Sequence, residues 1–111
     1  MKYKISIGTA QFGLDYGISN TRGRVRQKEA SSILDFALAN GMVHIDTAPV
    51  YGDSEQVVGR AISGTADQYR ITTKIMEAEE SEIVSSVESS LERLGVQQLY
   101  GILSHDFSLY K

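Results

Sequence analysis

Short stretches of alternating apolar and polar residues recur along this chain, separated by stretches whose apolar residues follow helical spacing. Lys4 to Gly8 predicts a first strand, and a polar, glycine-containing loop follows to Arg26. From Gln27 the apolar positions are Ala30, Ile33, Leu34, Ala37 and Leu38. That spacing lays them on one face of a helix. Asn40-Gly41 stops it, because glycine readily takes the left-handed conformation at a helix end. Val43 to Asp46 predicts the second strand. Asp53-Ser54 is a capping pair for a short helix from Glu55 to about Ile62, carrying Val57, Val58, Ala61 and Ile62. Arg70 to Lys74, rich in β-branched residues, predicts the third strand. Ser81 is the expected N-cap of a helix from Glu82 to Leu94, with Ile83, Val84, Val87, Leu91 and Leu94 on its face and Gly95 as its stop. Leu99 to about Ser104 predicts the fourth strand.

The order βαβαβαβ indicates a parallel sheet with right-handed crossovers. Two architectures fit: a doubly wound open sheet, or part of a (β/α)8 barrel. Strand parity separates them, since side chains alternate between faces. Ile5 and Ile7 oppose Ser6 and Gly8; Val43 and Ile45 oppose His44 and Asp46; Ile71 opposes Thr72 and Lys74; Ile102 opposes Gly101, Leu103 and His105. One face is mainly apolar and suited to covering helices. The other is small or polar, with its polar groups toward the C-terminal strand ends. A doubly wound sheet, buried on both faces, reads instead as near-continuous hydrophobic runs. The expected fold is α/β: a parallel (β/α) half-barrel of four strands and three helices, the N-terminal half of a TIM-type (β/α)8 barrel.

Composition narrows the picture further. The 111 residues suffice for a single domain, 1–111, and no linker or repeat divides them. With 41% hydrophobic and 23% charged residues, the balance is that of a globular protein. A net charge of −3 without a basic stripe gives no reason to expect nucleic acid or an anionic membrane as partner. No cysteine is present, which excludes disulfides and thiolate metal sites and fits a cytoplasmic setting. No apolar stretch approaches the ~18 residues of a membrane span, and the N-terminus lacks a signal-peptide pattern.

Four residues at or just past strand ends carry candidate chemistry: Asp46, Tyr51, Lys74 and His105. Free tyrosine, with a pKa near ~10, is a poor acid–base group at neutral pH. A nearby ammonium favours the phenolate, and a carboxylate can hold that ammonium in place. A neutral histidine can donate a hydrogen bond to a developing alkoxide. The set suits carbonyl reduction. Taken singly, a loop tyrosine or a strand lysine is an ordinary surface residue; the order of all four lends them weight.

Around them, Gly8-Thr9-Ala10-Gln11-Phe12-Gly13, Ile45-Asp46-Thr47-Ala48-Pro49-Val50-Tyr51-Gly52-Asp53-Ser54-Glu55, Gly59, Thr72-Thr73-Lys74, Ser90-Leu91-Glu92-Arg93-Leu94-Gly95, Leu99-Tyr100 and Ser104-His105-Asp106 resemble the aldo-keto reductases over nearly the whole chain. The stretch from Ile45 to Glu55 is the specific part. The resemblance implies NADPH-dependent reduction of an aldehyde or ketone. Tyr51 would be the acid that protonates the carbonyl oxygen, Lys74 and Asp46 its tuners, and His105 the residue that orients the small carbonyl substrate. Gly8 and Thr9 would lie beside the NADP(H) cofactor, with Asp46 near it. No metal is implied.

A complete barrel usually takes roughly 250 residues. In the family most of the cofactor grip comes from later strands and loops, which have no counterpart in these residues. The isolated chain is therefore expected to be inactive or weakly active. The alternative is a binding or assembly module that completes its sheet as a homodimer or with a separate C-terminal half; a noncatalytic regulatory subunit ranks lower. The remaining notable residues read as structural: His44 as a hydrogen-bonded interior residue, Glu55 as a carboxylate suited to a helix start, Arg93 as surface or packing. The run Glu77, Glu79, Glu80, Glu82 reads as a solvated loop and first helical turn.

Overall fold

The computed structural model describes residues 5–15, 23–76 and 79–104. Four strands form one sheet: β1 (Ser6–Gly8), β2 (His44–Asp46), β3 (Arg70–Ile75) and β4 (Gly101–Ser104). They lie in the order β1-β2-β3-β4, and every neighbouring pair is parallel. The helices are α1 (Ala10–Gly13), α2 (Gln27–Ala39), α3 (Ser54–Ala61) and α4 (Glu80–Leu94), with a 3-10 turn at Ala66–Gln68. The single-turn α1 adds to the three helices that periodicity predicts; four residues are too few to show a helical repeat. Sequential strand order with parallel pairing is that of successive (β/α) units of a barrel, as parity requires.

Register confirms the two faces. Gly8 pairs with Asp46, Asp46 with Thr72, and Thr72 with Gly101, so these residues share the inner face, joined by Lys74 and Leu103. The opposite, outer face carries Ile45, Ile71 and Thr73, all buried beneath the helices. Together with Phe12, Ala30, Leu34, Val57, Val58, Ile62, Tyr69 and Leu94 they fill the space between sheet and helices. Burial of these side chains is the main drive for the fold, at roughly 1.5–3 kcal/mol for each large aliphatic or aromatic one.

The largest departure of a helix boundary from expectation is at the start of α4, while α3 runs Ser54–Ala61, one residue earlier than expected. The N-cap position of α4 is Glu79, and Ser81 sits inside the first turn with Glu80 and Glu82. Carboxylates at a helix N-terminus favour the positive end of its dipole, so the acidic run extends the helix toward the N-terminus. Glu79, Glu80 and Glu82 are exposed, as a solvated turn requires; Glu77 lies outside the described residues. At the other end Gly95 is left-handed (φ 69°) and stops the helix. Asp53 occupies the N-cap position of α3 but makes no side-chain cap; its carboxylate instead accepts from Arg24 Nη1 at 3.2 Å, on the surface. Among the described residues no helix is long and apolar enough to cross a membrane.

Tyr69, just before β3, is buried, and its hydroxyl donates to the Leu34 carbonyl of α2 at 2.8 Å. Burial pushes this phenol above its ordinary pKa; the charge of Asp35 adds to the shift and a hydrogen bond with Thr65 opposes it. The neutral phenol is therefore the form the fold selects. Its contribution is complete below the unfolded value of about 10 and is lost as pH rises through the folded value. Tyr69→Phe should cost about 0.5–1.5 kcal/mol at neutral pH. Urea unfolding of both proteins at neutral and strongly alkaline pH should show the difference shrink in alkali.

Candidate active site

Two strands and one loop bring the site together. Asp46 ends β2 and Lys74 lies near the end of β3, both on the inner face. Lys74 Nζ donates to Asp46 Oδ2 at 2.8 Å and to the Thr47 carbonyl at 3.1 Å. The pair is partly shielded, with side-chain exposures of 14% for Lys74 and 32% for Asp46. Tyr51 lies on the loop between β2 and α3, and the Lys74 ammonium stands 5.1 Å from its ring centroid. That is within the range of a cation–π contact. Three of the four candidate residues thus converge at the C-terminal edge of the inner face. His105 lies outside the described residues.

The loop that carries Tyr51 is held at its far end by a buried hydroxyl cluster. Ser54 Oγ lies 2.9 Å from the Thr9 carbonyl, 2.8 Å from Thr9 Oγ1 and 3.0 Å from Thr47 Oγ1. Thr9 Oγ1 in turn donates to the Asp46 carbonyl at 2.8 Å. Thr9, Thr47 and Ser54 are all fully buried. The Thr9 hydroxyl bonds inside the protein, where it joins the β1 and β2 loops. Gly8 is exposed, and nothing lies within 4 Å of where its Cβ would be. It leaves open space at the end of β1.

Two residues read as structural have larger parts than their local sequence suggests. Glu55 is 2% exposed; its Oε2 accepts from Thr73 Oγ1 at 2.7 Å and its Oε1 from Arg93 Nε at 2.7 Å. The carboxylate ties α3 to β3 and α4, a stronger role than dipole stabilisation, and Arg93 is its ion-pair partner. The partners are 38 residues apart, so no local periodicity reveals the pair. The signal available was Thr73, a polar residue on the outward, buried face. His44 is half-buried and packs edge-on against the Tyr100 ring at a centroid distance of 5.3 Å. Arg70 lies over the same ring, 5.6 Å from its centroid. Ring packing at the N-terminal end of the sheet thus replaces the hydrogen-bonded interior expected for His44. A cavity of about 860 Å³ at that end, lined by Asp67, Arg70, Gln98 and Tyr100 among others, does not include the Asp46–Lys74 pair. Among the described residues no cluster of acidic or histidine side chains could hold a metal.

A parallel half-barrel with a carboxylate-braced lysine beside a loop tyrosine, all at the C-terminal strand ends, has the layout of a (β/α)-barrel enzyme site. The aldo/keto reductase family model matches residues 4–110, and the chain belongs to that family. It is 34% identical over 105 residues to the aldo-keto reductase YhdN of Bacillus subtilis, an overlap of 82% of this chain and 30% of that protein. To the D-arabinose 1-dehydrogenase of Saccharomyces cerevisiae it is 36% identical over 91 residues, 71% of this chain and 27% of the other. A solved structure from Pseudomonas aeruginosa superposes with a TM-score of 0.81 at 30% identity, covering 92% of this chain and 42% of that one. An aldo/keto reductase from Klebsiella pneumoniae, crystallised with NADP and acetate, gives 0.74 at 27% identity, covering 89% and 34%. The chain therefore spans under half the length of these relatives.

Proposed function

We propose that this half-barrel supplies the proton-transfer side of an NADPH-dependent reduction of an aldehyde or ketone. The observation that carries the reading is the Asp46–Lys74–Tyr51 arrangement on the inner face. Tyr51 donates its proton to the carbonyl oxygen as that oxygen gains charge. Lys74 places a fixed positive charge beside the phenol, and Asp46 with the Thr47 carbonyl fixes the ammonium. His105 orients the carbonyl. NADPH, when bound, would supply the hydride. The residues present fit the nicotinamide end of such a cofactor, since Gly8 leaves open space beside Asp46, its pairing partner on β2. Its Klebsiella pneumoniae relative was also crystallised with NADPH.

Full catalysis belongs to a complete barrel, because donor and carbonyl must be held in near-attack geometry and misplacement by about 1 Å can cost ~10²-fold. The flanks of the half-barrel support this. On α2, Gln27 and Ser31 lie toward α3, where Gln27 Nε2 donates to the Val57 carbonyl at 3.0 Å. Helical spacing then puts Ile33 and Phe36 on the side away from α3, and both are exposed. On α4, Arg93 reaches α3 through Glu55, so Val84 lies on its far side, also exposed. Ile5 beside β1, and Ile102 and Leu103 on β4, complete two exposed apolar borders. A complementary (β/α) half-barrel is the surface that fits them.

Substituting residues 1–111 for the corresponding segment of YhdN tests both parts. The chimera should oxidise NADPH with a simple aldehyde, and Tyr51→Phe should slow it by about 10²–10⁴-fold. A folded, active chimera indifferent to Tyr51→Phe overturns the acid assignment. Tight NADPH binding and aldehyde turnover by the isolated 111 residues overturn the need for a second half.

A further inference from the structure

Glu55 is a fully buried carboxylate for which the proton-transfer chemistry has no use. Its position explains why it is there. It follows Ser54 directly, so the end of the Tyr51 loop is bonded at adjacent residues to Thr9 and Thr47 on one side and to Thr73 and Arg93 on the other. Thr73 immediately precedes Lys74. Strand alternation sends the Thr73 hydroxyl outward to Glu55 and the Lys74 ammonium inward to Asp46. One carboxylate is thus a common reference for the loop that presents the phenol and for the strand that presents the ammonium. Arg93 supplies the countercharge and is itself braced by Ser90 Oγ at 3.3 Å. A charge-assisted bond of 2.7 Å to each partner is short and directional, which suits a spacer that must not slide.

We propose that Glu55 is a positioning residue that sets the separation of Tyr51 and Lys74 by clamping the start of α3 to Thr73. The proposal rests on the reading of Tyr51 and Lys74 as the proton-donating pair. Purely structural glue would also hold the helices together, but it would have no particular effect on the inner face. The clamp acts through the strand onto a contact it never touches.

The test is the nuclear Overhauser effect between the Lys74 side chain and the Tyr51 ring protons in the 111-residue chain. Its intensity falls with the sixth power of distance, so a displacement of about 1 Å, the scale that matters for catalysis, lowers it severalfold. Glu55→Gln places an amide N–H₂ opposite one of two donors, and Thr73→Val removes one donor while keeping the shape of the side chain. Both should weaken the signal severalfold with unchanged circular dichroism. Thr73→Ser restores the hydroxyl and should return it to the wild-type value. Should Glu55→Gln fail to fold, Thr73→Val and Thr73→Ser decide the matter. Retention of the full signal in folded Thr73→Val, or its absence from the wild-type protein, overturns the proposal. Failure of the chemical reading would register separately, as an active chimera that ignores Tyr51→Phe.

Discussion

Arg93→Met is expected to destabilise the fold by about 3 kcal/mol, the lower end of the cost of removing one partner of a buried ion pair, because only the Glu55 end is fully buried. The two ends of the pair are not equivalent. Glu55 is 2% exposed while the Arg93 side chain is 31% exposed. Without Arg93 the Glu55 carboxylate stays inside with Thr73 as its remaining donor, and a buried charge cannot recover the hydration it lost. Without the carboxylate, Arg93 can swing its guanidinium to water along its existing opening. Glu55→Gln should therefore cost clearly less than Arg93→Met. Denaturant unfolding of the two variants measures the asymmetry directly, and equal losses would contradict it. Against a typical total of roughly 5–15 kcal/mol, the arginine variant removes a large share of the stability.

Gly13→Ala should be the most damaging of the small changes near the site. A Cβ there would collide with the Tyr51 carbonyl oxygen and come within 2.8 Å of the Ser54 nitrogen. These are backbone atoms of the Tyr51 loop and of the start of α3, so no side chain can swing aside. Gly52, at φ 59°, faces Gly13 from the other side, and a Cβ on it would run into the Gly13 carbonyl. The two glycines let the β1 and β2 loops touch, and that contact seats Tyr51. Overpacking costs typically about 1–3 kcal/mol, and Gly13→Ala should fall at or above the top of that range. Gly8→Ala is the control: nothing lies within 4 Å of the added methyl. It should be neutral or stabilising by up to about 1 kcal/mol, because alanine is the better strand residue. Thermal unfolding of the two variants should separate them clearly.

Much of this molecule is legible locally. The apolar residues of α2 at helical spacing include Ala30, Leu34 and Ala37, which are buried. The left-handed Gly95 ends α4 where glycine is expected to. Alternation on β2 and β3 placed Asp46 and Lys74 on one face, and register agrees. The misplacements also have local causes. Glu79 and Glu80 extend α4 past Ser81, since several adjacent polar residues can each serve as a helix start. Thr9, which the family resemblance sets beside the cofactor, also donates its hydroxyl to a carbonyl 37 residues away, a bond no local pattern reveals.

From the sequence alone came the order of elements, the two faces of the sheet and the placement of Asp46 and Lys74 toward the C-terminal edge of one of them. Those properties follow from backbone repeats of 2 and about 3.6 residues, which act between near neighbours. Tertiary structure alone decided that Glu55 is paired with Arg93 and Thr73, that Thr9 and Ser54 lock the Tyr51 loop, and that Gly13 and Gly52 touch. Each joins residues brought together by packing rather than by spacing. Their energies arise from burial and from the exclusion of water, which exist only once the helices have closed over the sheet.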